Sequence, residues 1–245
     1  MTLSEDIVRQ TSEKPIHFAL LDPEDQTPED AADKAKLAEK AGSKAVMVGG
    51  STLASSEQVD KTVRAIKKGC KLPVILFPSG AKFLSGYADA IFFMSLLNSR
   101  NLGFVIREHV KGAPFVKHVG LEPISMGYLI VEPGMTAGKM GEVDLVERDD
   151  IETAVGYGLA SEYLGMSFFY LEAGSGASEP ISNEMIAAVK KNINIPLIVG
   201  GGIRDVKTAR EKAIAGADII VTGTAMEEED DLEGALKKIV GAIDL

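Results

Sequence analysis

Short runs of apolar, often β-branched residues alternate along this chain with longer segments whose apolar positions recur every three or four residues. The first pattern is typical of buried strands, and the second is typical of helices that cover a sheet. Eight strands are predicted, at residues 16–21, 45–48, 73–77, 90–94, 125–131, the apolar part of 167–176, 196–200 and 218–222. Helices are predicted at about residues 27–42, 56–68, 101–116, 149–164, 180–191, from 205 onward, and at 230–243.

This rhythm indicates a parallel sheet with helices outside it. Eight strands favour a TIM (β/α)₈ barrel, as one domain over residues 1–245, above a doubly wound sheet. Two features support the barrel. The last two strands both end in small residues, where such barrels commonly build a phosphate site, and no G-x-G-x-x-G fingerprint follows the first strand.

One unit breaks the rhythm, because only residues 78–89 separate the third strand from the fourth. That is too short and too interrupted by glycine for a covering helix with two connections. The segment is either a short turn that closes the barrel or a gap in the ring of helices. A gap would leave an apolar trench, lined by Phe83, Tyr87 and neighbours such as Phe93.

The sixth strand carries the most specific chemistry of the chain. It ends in a carboxylate, Glu172, followed by a Gly-Ser-Gly turn at 174–176. A buried carboxylate at the mouth of a barrel is the best candidate for a general base, and the alternative is a structural acid paired with a lysine or arginine. The strands ending at Gly200 and Thr222 also run into small residues, and three such ends with bare backbone predict a phosphate site.

Two further side chains suggest a metal site. Asp22 follows the first strand and precedes proline, and Ser51 follows the second strand. Together with phosphate oxygens they would suit Mg²⁺, which prefers few protein oxygens plus substrate. The alternative roles are a turn residue for Asp22 and a helix cap for Ser51. His17 is interpreted as a satisfied core histidine, and Cys70 as inert.

The composition narrows the class of protein. A formal net charge of -10 argues against nucleic acid as the main partner. A single cysteine suits a reducing cytoplasm. Residues 1–14 do not resemble a signal peptide, and no apolar run approaches the ~20 residues that cross a bilayer. We therefore expect a cytoplasmic protein with no transmembrane segment, for which transient contact with a membrane surface stays open.

Taken together, several segments of the chain closely resemble the geranylgeranylglyceryl phosphate synthase family of archaeal prenyltransferases, which is related to bacterial heptaprenylglyceryl phosphate synthases. In the bacterial relatives a lysine stands two residues before the aspartate. Leu20 occupies that place here, as in the larger archaeal subgroup. The matching segments are HFALLDP at 17–23, VGGS at 48–51, LLN at 96–98, YLEAGSG at 170–176, VGGGI at 199–203 and VTGT at 221–224.

The resemblance implies transfer of a geranylgeranyl chain from its diphosphate to sn-glycerol 1-phosphate, with release of pyrophosphate. It also implies Mg²⁺ held by Asp22 and Ser51, and a gap in the barrel at 78–89 that forms the trench. In such a reaction Glu172, the candidate base, would accept the proton of the glycerol hydroxyl. It leaves the prenyl chain length open. The residues implied to bind glycerol phosphate are Tyr170, Leu171, Glu172, Ala173, Gly174, Ser175, Gly176, Gly201, Gly202, Gly223 and Thr224.

Three expectations remain open at this point. An isomerase or lyase acting on a sugar or indole phosphate would share the phosphate site but would need a second acid or base opposite Glu172. The pyrophosphate could be bound by Arg64, Lys82, Arg100, Lys117 or Lys139, without a ranking. A homo-oligomer is expected through the small-residue helix 149–164, with Tyr157 and Tyr163 at the interface, although this helix could instead lie tight on the barrel.

Overall fold

Eight parallel strands close into one barrel in chain order, and β1 pairs with β8. The structure, a computed structural model, describes residues 1–49, 55–223 and 231–245. The predicted TIM barrel is therefore confirmed. The strands are β1 Ile16–Leu21, β2 Ala45–Val48, β3 Val74–Leu76, β4 Ala90–Leu96, β5 Glu122–Ile130, β6 Phe168–Glu172, β7 Leu197–Gly200 and β8 Ile219–Thr222.

Helices cover the barrel between most of the strands. Their starts follow the capping rules, because the side chains of Thr27, Ser55 and Asp205 accept backbone N–H groups of the first turn. The helices are α1 Leu3–Glu13, α2 Pro28–Ala41, α3 Ser56–Gly69, α4 Glu108–Val119, α5 Met135–Met140, α6 Ile151–Tyr163, α7 Asn183–Asn192, α8 Val206–Ala215 and α9 Leu232–Ile243. None of the helices in the described ranges is long and apolar enough to cross a membrane.

Side chains alternate between the interior of the barrel and the helix layer along each strand, as the pleat requires. On β6, Phe168 and Tyr170 belong to the interior cluster, whereas Phe169 and Leu171 pack outward against the helices. The same alternation directs Glu172 inward, at the carboxyl end of the strand. This register is what places a carboxylate at the mouth of the barrel.

The predicted gap in the ring of helices is present. Between β3 and β4 the chain forms only a 3₁₀ turn, Ala81–Phe83. After β4, a π-helical turn at Gly103–Arg107 leads directly into α4, so this helix begins later than predicted and runs on to Val119. The segment 78–89 and α4 therefore face each other with no helix between them.

Two helices were not predicted from the sequence, because one is mostly polar and the other is short. Helix α1 is held by a capping box between Thr2 and Glu5, and its Ile7 belongs to the interior cluster of the barrel. Glu122, at the start of β5, accepts the N–H groups of Leu3 and Ser4 at 2.8 Å each. Helix α5, of 6 residues, follows β5 and covers part of the barrel mouth.

His17 is the buried core histidine that the sequence predicts. Its Nδ1 lies 2.8 Å from Ser43 Oγ, and its Nε2 lies 2.9 Å from Thr222 Oγ1. The ring thus bridges β1 to the end of β8 and to the turn before β2. Burial lowers the pKa of His17 to about 4, so the imidazole is neutral in the folded protein near neutral pH.

Because the buried His17 is neutral, we expect the protein to lose stability in acid. Between pH 6.5 and about 4 the unfolded chain binds a proton on residue 17 that the folded chain does not, so the free energy of unfolding falls as the pH falls. At about 1.4 kcal/mol per pKa unit the full loss is roughly 3 kcal/mol. Urea denaturation at several pH values should give a shallower decline for His17→Gln than for the natural chain. Equal slopes would contradict this account.

Candidate active site

Glu172 is a buried carboxylate at the end of β6, with 6% of its surface exposed. Its Oε1 accepts the N–H of Gly174 at 2.6 Å. Among the described residues it is the one carboxylate that is buried. Burying an ionised acid is unfavourable unless hydrogen bonds replace water. The turn after β6 supplies such a bond from the backbone.

The environment of Glu172 tunes its protonation. Burial raises the pKa of this carboxyl, while the N–H of Gly174 and then the nearby Tyr170 hydroxyl favour the ionised form. Tyr170 Oη is itself buried near this carboxylate, although no group in the described part of the chain meets the full geometry of a hydrogen bond to it. Burial, followed by the charge of Glu172, raises the pKa of Tyr170 well above its ordinary value, so the phenol stays neutral. A carboxylate with a raised pKa is a stronger proton acceptor than a carboxylate with its ordinary pKa.

Glycines around Glu172 allow the backbone to come unusually close. Gly201 has φ +82°, and a Cβ at this position would lie 2.3 Å from Glu172 Oε1. A Cβ on Gly200 would lie 2.1 Å from Tyr170 Oη. Only residues without a side chain fit there, because real Cβ atoms do not approach other atoms so closely. The end of β7 therefore depends on glycine to pack against β6.

Left-handed glycines recur at the same end of the barrel. Gly174, Gly176 and Gly202 have φ of +99°, +74° and +71°. Backbone that turns in this way forms concave groups of N–H donors that suit anions. Arg204 adds positive charge beside this turn, since its guanidinium donates to the carbonyl of Gly176 at 2.7 Å. We call the glycine-rich ends of β6 and β7, residues 174–176 and 201–202, the glycine cradle.

The other residues predicted to bind substrate differ in position. Leu171 and Ala173 pack outward in the helix-side cluster, so only their backbone can face the mouth, and the Ala173 N–H already donates to Gly200 at 3.2 Å. Ser175 is exposed in the turn, and Gly223 follows β8 with half-exposed backbone. Thr224 lies outside the described residues. The binding roles of these residues stay predictions.

Asp22 lies half-buried at the carboxyl end of β1 and accepts the Glu24 N–H at 3.0 Å. In the described ranges, no group of three or more histidine, cysteine or acidic side chains is arranged to hold a metal. A single carboxylate at the phosphate-binding end fits Mg²⁺, which keeps water and substrate oxygens as its other ligands. Ser51, the second predicted ligand, lies outside the described residues.

An apolar pocket of about 160 Å³ occupies the gap between the segment 78–89 and α4. Both faces of β4 contribute to it, since Phe92 points into the barrel and Phe93 points outward. The pocket therefore reaches from the interior of the barrel to the helix side of β4. Its lining residues are Phe77, Pro78, Ser79, Gly80, Ala81, Leu84, Ile91, Phe92, Phe93, Met94, Leu96, Phe104, Glu108, His109, Gly112, Tyr128, Ile130, Ala137, Met140 and Gly141.

The predicted trench is therefore present, but two of its predicted residues were wrong. Phe93 lines the pocket, whereas Phe83 packs against the helix-side cluster instead. Tyr87 is 46% exposed and holds the guanidinium of Arg64 at 4.4 Å from its ring centre. The segment 78–89 has no regular structure beyond one 3₁₀ turn, so spacing alone gave no direction for these side chains.

The inner end of the pocket adjoins Glu172. Ile130 lines the pocket and is the register partner of Glu172 on the neighbouring strand. Tyr128, also in the lining, lies edge-on to Tyr170 with ring centres 5.1 Å apart. Phe77 completes this aromatic group, at 5.5 Å from Tyr128. A carboxylate, an apolar pocket and a glycine cradle thus converge on one end of the barrel.

Two polar side chains outside the predicted site residues fix the chain around the pocket. Glu108, on α4, accepts the Ala81 N–H at 2.9 Å and so ties the irregular segment to α4. Asn98 is buried and donates to the carbonyls of Ile130 and Asp144 at 2.8 Å each. A polar residue directly after an apolar strand was the available signal for Asn98, but its partners are distant in sequence.

The candidate pyrophosphate ligands are scattered. Arg64 stacks on Tyr87, and Arg100 forms an ion pair with Asp144 at 3.4 Å. Lys117 is exposed on α4. Lys82 and Lys139 lie on the 3₁₀ turn and on α5, the two elements that flank the pocket. Both lysines are sequence neighbours of lining residues, Ala81 and Met140, and pyrophosphate binding by any of the five residues stays a prediction.

The fold is a (β/α)₈ barrel, and its candidate site places a glycine cradle suited to anions beside an apolar pocket. The model of the PcrB family matches residues 6–243. Geranylgeranylglyceryl phosphate synthase of Thermococcus sibiricus is 53% identical over 97% of this chain and 93% of its own length. The corresponding protein of Methanosarcina barkeri is 55% identical over 93% of both chains. The chain belongs to the PcrB family and, within it, to the geranylgeranylglyceryl phosphate synthases.

Solved structures agree with this assignment. The crystal structure of (S)-3-O-geranylgeranylglyceryl phosphate synthase from Thermoplasma acidophilum in complex with sn-glycerol-1-phosphate has a TM-score of 0.97 at 44% identity. The match covers 100% of this chain and 99% of the chain in that crystal structure. A thiamine phosphate pyrophosphorylase from Pyrococcus furiosus has a TM-score of 0.59 at 13% identity and shares the fold alone.

The close approach at Gly201 makes a prediction about stability. Gly201→Ala should lower the free energy of unfolding by at least ~1–2 kcal/mol, because alanine is strained at φ +82° and its Cβ would displace Glu172. Gly156→Ala is the matched control, since a Cβ on this helical glycine meets nothing within 4 Å. The control should gain ~0.5–1 kcal/mol. Urea denaturation measures both, and an unaffected Gly201→Ala would contradict the geometry.

Proposed function

We propose that the protein joins geranylgeranyl diphosphate to sn-glycerol 1-phosphate, forming 3-O-geranylgeranyl-sn-glycerol 1-phosphate and pyrophosphate. The observation that carries this proposal is a buried carboxylate that lies between a glycine cradle and an apolar pocket. The names of the close relatives point to the same product class. The reaction is a step in the synthesis of ether lipids.

Glycerol phosphate is proposed to bind at the glycine cradle. Its phosphate needs several N–H donors, which concave backbone provides without bulky side chains. The guanidinium of Arg204, beside Gly176, adds a favourable charge. The crystal structure from Thermoplasma acidophilum contains this ligand in a barrel of the same fold. Fixing the phosphate also fixes the acceptor hydroxyl, and orientation of this kind contributes strongly to rate.

Glu172 is proposed as the base. The C1–O bond of the prenyl diphosphate breaks, and its electron pair leaves with pyrophosphate. The 3-hydroxyl oxygen of glycerol phosphate forms the new ether bond to C1, and the hydroxyl proton passes to a carboxylate oxygen of Glu172. The raised pKa of Glu172 suits this transfer, as does its position at the mouth of the barrel.

The apolar pocket is proposed to hold the prenyl chain. Each buried CH₂ contributes about 0.8 kcal/mol, so a chain of some twenty carbons gains far more from the pocket than from water. Tyr128 and Ile130 would place the reactive end of the chain beside Glu172. A covering helix between β3 and β4 would fill this space, so the gap has a direct use in this reaction.

Mg²⁺ is proposed as the metal, with Asp22 as a ligand and Ser51 as the second predicted one. Bound there, the ion would supply positive charge for the phosphate oxygens of the leaving group. Asp22 lies at the carboxyl end of β1, the same end of the barrel as Glu172, so it can orient the diphosphate toward the pocket. An isomerase or lyase is disfavoured, because the close relatives of this chain are geranylgeranylglyceryl phosphate synthases.

The base predicts a specific kinetic defect. Glu172→Gln should fold normally but lose turnover by ~10²–10⁴, because the amide cannot accept the proton. The dissociation constant for glycerol phosphate should change far less. Transfer of labelled geranylgeranyl groups measures turnover, and calorimetry measures binding. Glu152→Gln, an exposed change on α6, is the matched control and should keep full activity. Near-normal turnover of Glu172→Gln would refute the proposed base.

If Asp22 is a ligand of Mg²⁺, changing this residue should alter the Mg²⁺ concentration that the reaction requires. Asp22→Asn should raise the Mg²⁺ concentration needed for half-maximal rate, because a neutral amide is a weaker ligand than a carboxylate. Glu24→Gln removes the same charge two residues away on an exposed side chain and should shift this concentration much less. Rates measured across a Mg²⁺ titration test both variants. An unchanged response of Asp22→Asn would leave Asp22 as a turn residue only.

A further inference from the structure

The outer face of the helix beside the pocket carries exposed apolar residues. Leu102, Ile106 and Val110 are 54%, 52% and 67% exposed. They stand four residues apart, across the π-helical turn Gly103–Arg107 and the start of α4. The wider i→i+5 turn keeps such residues close to one line along the helix. We call these three residues the outer stripe.

The opposite face of the same segment forms a wall of the pocket. Phe104, Glu108 and Gly112 line the cavity, each two residues away from a member of the outer stripe. One short segment therefore separates the proposed prenyl pocket from an apolar patch in solvent. Contiguous exposed apolar side chains on a protein surface mark sites of contact with a partner or a lipid surface.

The charge of this segment is opposite to that of the whole chain. The chain carries 36 acidic residues against 26 basic ones, yet residues 100–120 contain Glu108 as their one acid beside four basic residues. Two of the four are in ion pairs, Arg100 with Asp144 and Lys111 with Glu108. Arg107 and Lys117 are exposed there. A basic helical face next to an apolar stripe is the pattern of helices that lie in the interface of an anionic membrane.

We infer that the outer stripe and its basic residues dock the protein on the surface of an anionic lipid membrane. The inference rests on the proposed function, because the substrate and product each carry a long prenyl chain that partitions into lipid. Docking by this face would hold the wall of the pocket against the bilayer. The prenyl chain could then pass between membrane and pocket without crossing water. A two-fold contact between copies would bring this basic patch against itself, so charge favours an anionic lipid surface over a symmetric dimer through the same face.

Vesicle sedimentation with the full-length protein tests the inference. The natural chain should bind vesicles that contain phosphatidylglycerol, should bind pure phosphatidylcholine at least ~10-fold more weakly, and should be released by salt. The double variant Ile106→Asp/Val110→Asp should lose at least ~10-fold in binding. Val206→Asp/Ile214→Asp, which alters exposed apolar residues of α8, is the matched control and should bind like the natural chain.

A second pair separates local charge from total charge. Arg107→Glu/Lys117→Glu should weaken binding, whereas Lys207→Glu/Lys238→Glu makes the same change in net charge on α8 and α9 and should weaken it much less. Equal effects of the two pairs would overturn the inference. So would a natural chain that ignores both kinds of vesicle, or a drop in mass by light scattering for Ile106→Asp/Val110→Asp with vesicle binding unchanged. The last result would make the stripe a contact between copies.

An assay free of lipid distinguishes this inference from the proposed function. With geranyl diphosphate, whose short chain stays in solution, Ile106→Asp/Val110→Asp should turn over within about twofold of the natural chain, because neither residue lines the pocket. A natural chain that binds vesicles but transfers no prenyl group would refute the function and leave the docking surface. Full turnover without any vesicle binding would support the proposed function and refute the docking surface.

Discussion

The burial of Glu172 is the constraint on which the site depends. An ionised carboxylate at 6% exposure is stable only where hydrogen bonds replace its water, and the Gly174 N–H at 2.6 Å meets part of that need. The bond requires the chain to turn sharply after β6, which the left-handed φ of Gly174 allows. Gly201 must also approach within a distance that no side chain tolerates. The glycines that make room for Glu172 therefore also form part of the glycine cradle.

The missing helix between β3 and β4 is the second determinant of the site. Barrels of this class usually cover every strand, and an uncovered strand loses packing. Here Glu108 ties the irregular segment to α4, and Asn98 joins the ends of β4 and β5. These bonds keep the uncovered region ordered without filling it. The result is an apolar pocket whose inner end meets the buried carboxylate through Ile130 and Tyr128.

Regular elements with strong local signals could be predicted from the sequence. The bounds of β1 and β2 agree residue by residue, because apolar runs there end in clear turn residues. The interior direction of Glu172 follows from the same pattern. Helix α1 was missed although its capping box was readable, since its face is mostly polar. Strand β4 runs two residues past its predicted end and β5 begins three residues before its predicted start, and the two share a long ladder.

Features that depend on distant contacts could not be predicted. Phe83 and Tyr87 were wrongly assigned to the trench, because an irregular segment gives no period from which to infer side-chain direction. Ala137 and Met140 line the pocket from a helix that follows β5. The small-residue helix α6 agrees partly with each of its two predicted roles. Gly158 packs against Ile193, as expected if the helix lies tight on the barrel, whereas Tyr163 is 80% exposed, as expected if it can contact a second copy. The expected homo-oligomer therefore stays a prediction.

The most direct test of the central claim is the pH dependence of kcat with both substrates saturating. A base must be ionised to accept a proton, and burial raises the pKa of Glu172 above its ordinary value of 4.5. The account predicts that kcat falls as the pH falls, with a midpoint above that value, and that Glu172→Gln lacks this acidic limb. An acidic limb that is unchanged in Glu172→Gln would contradict the account.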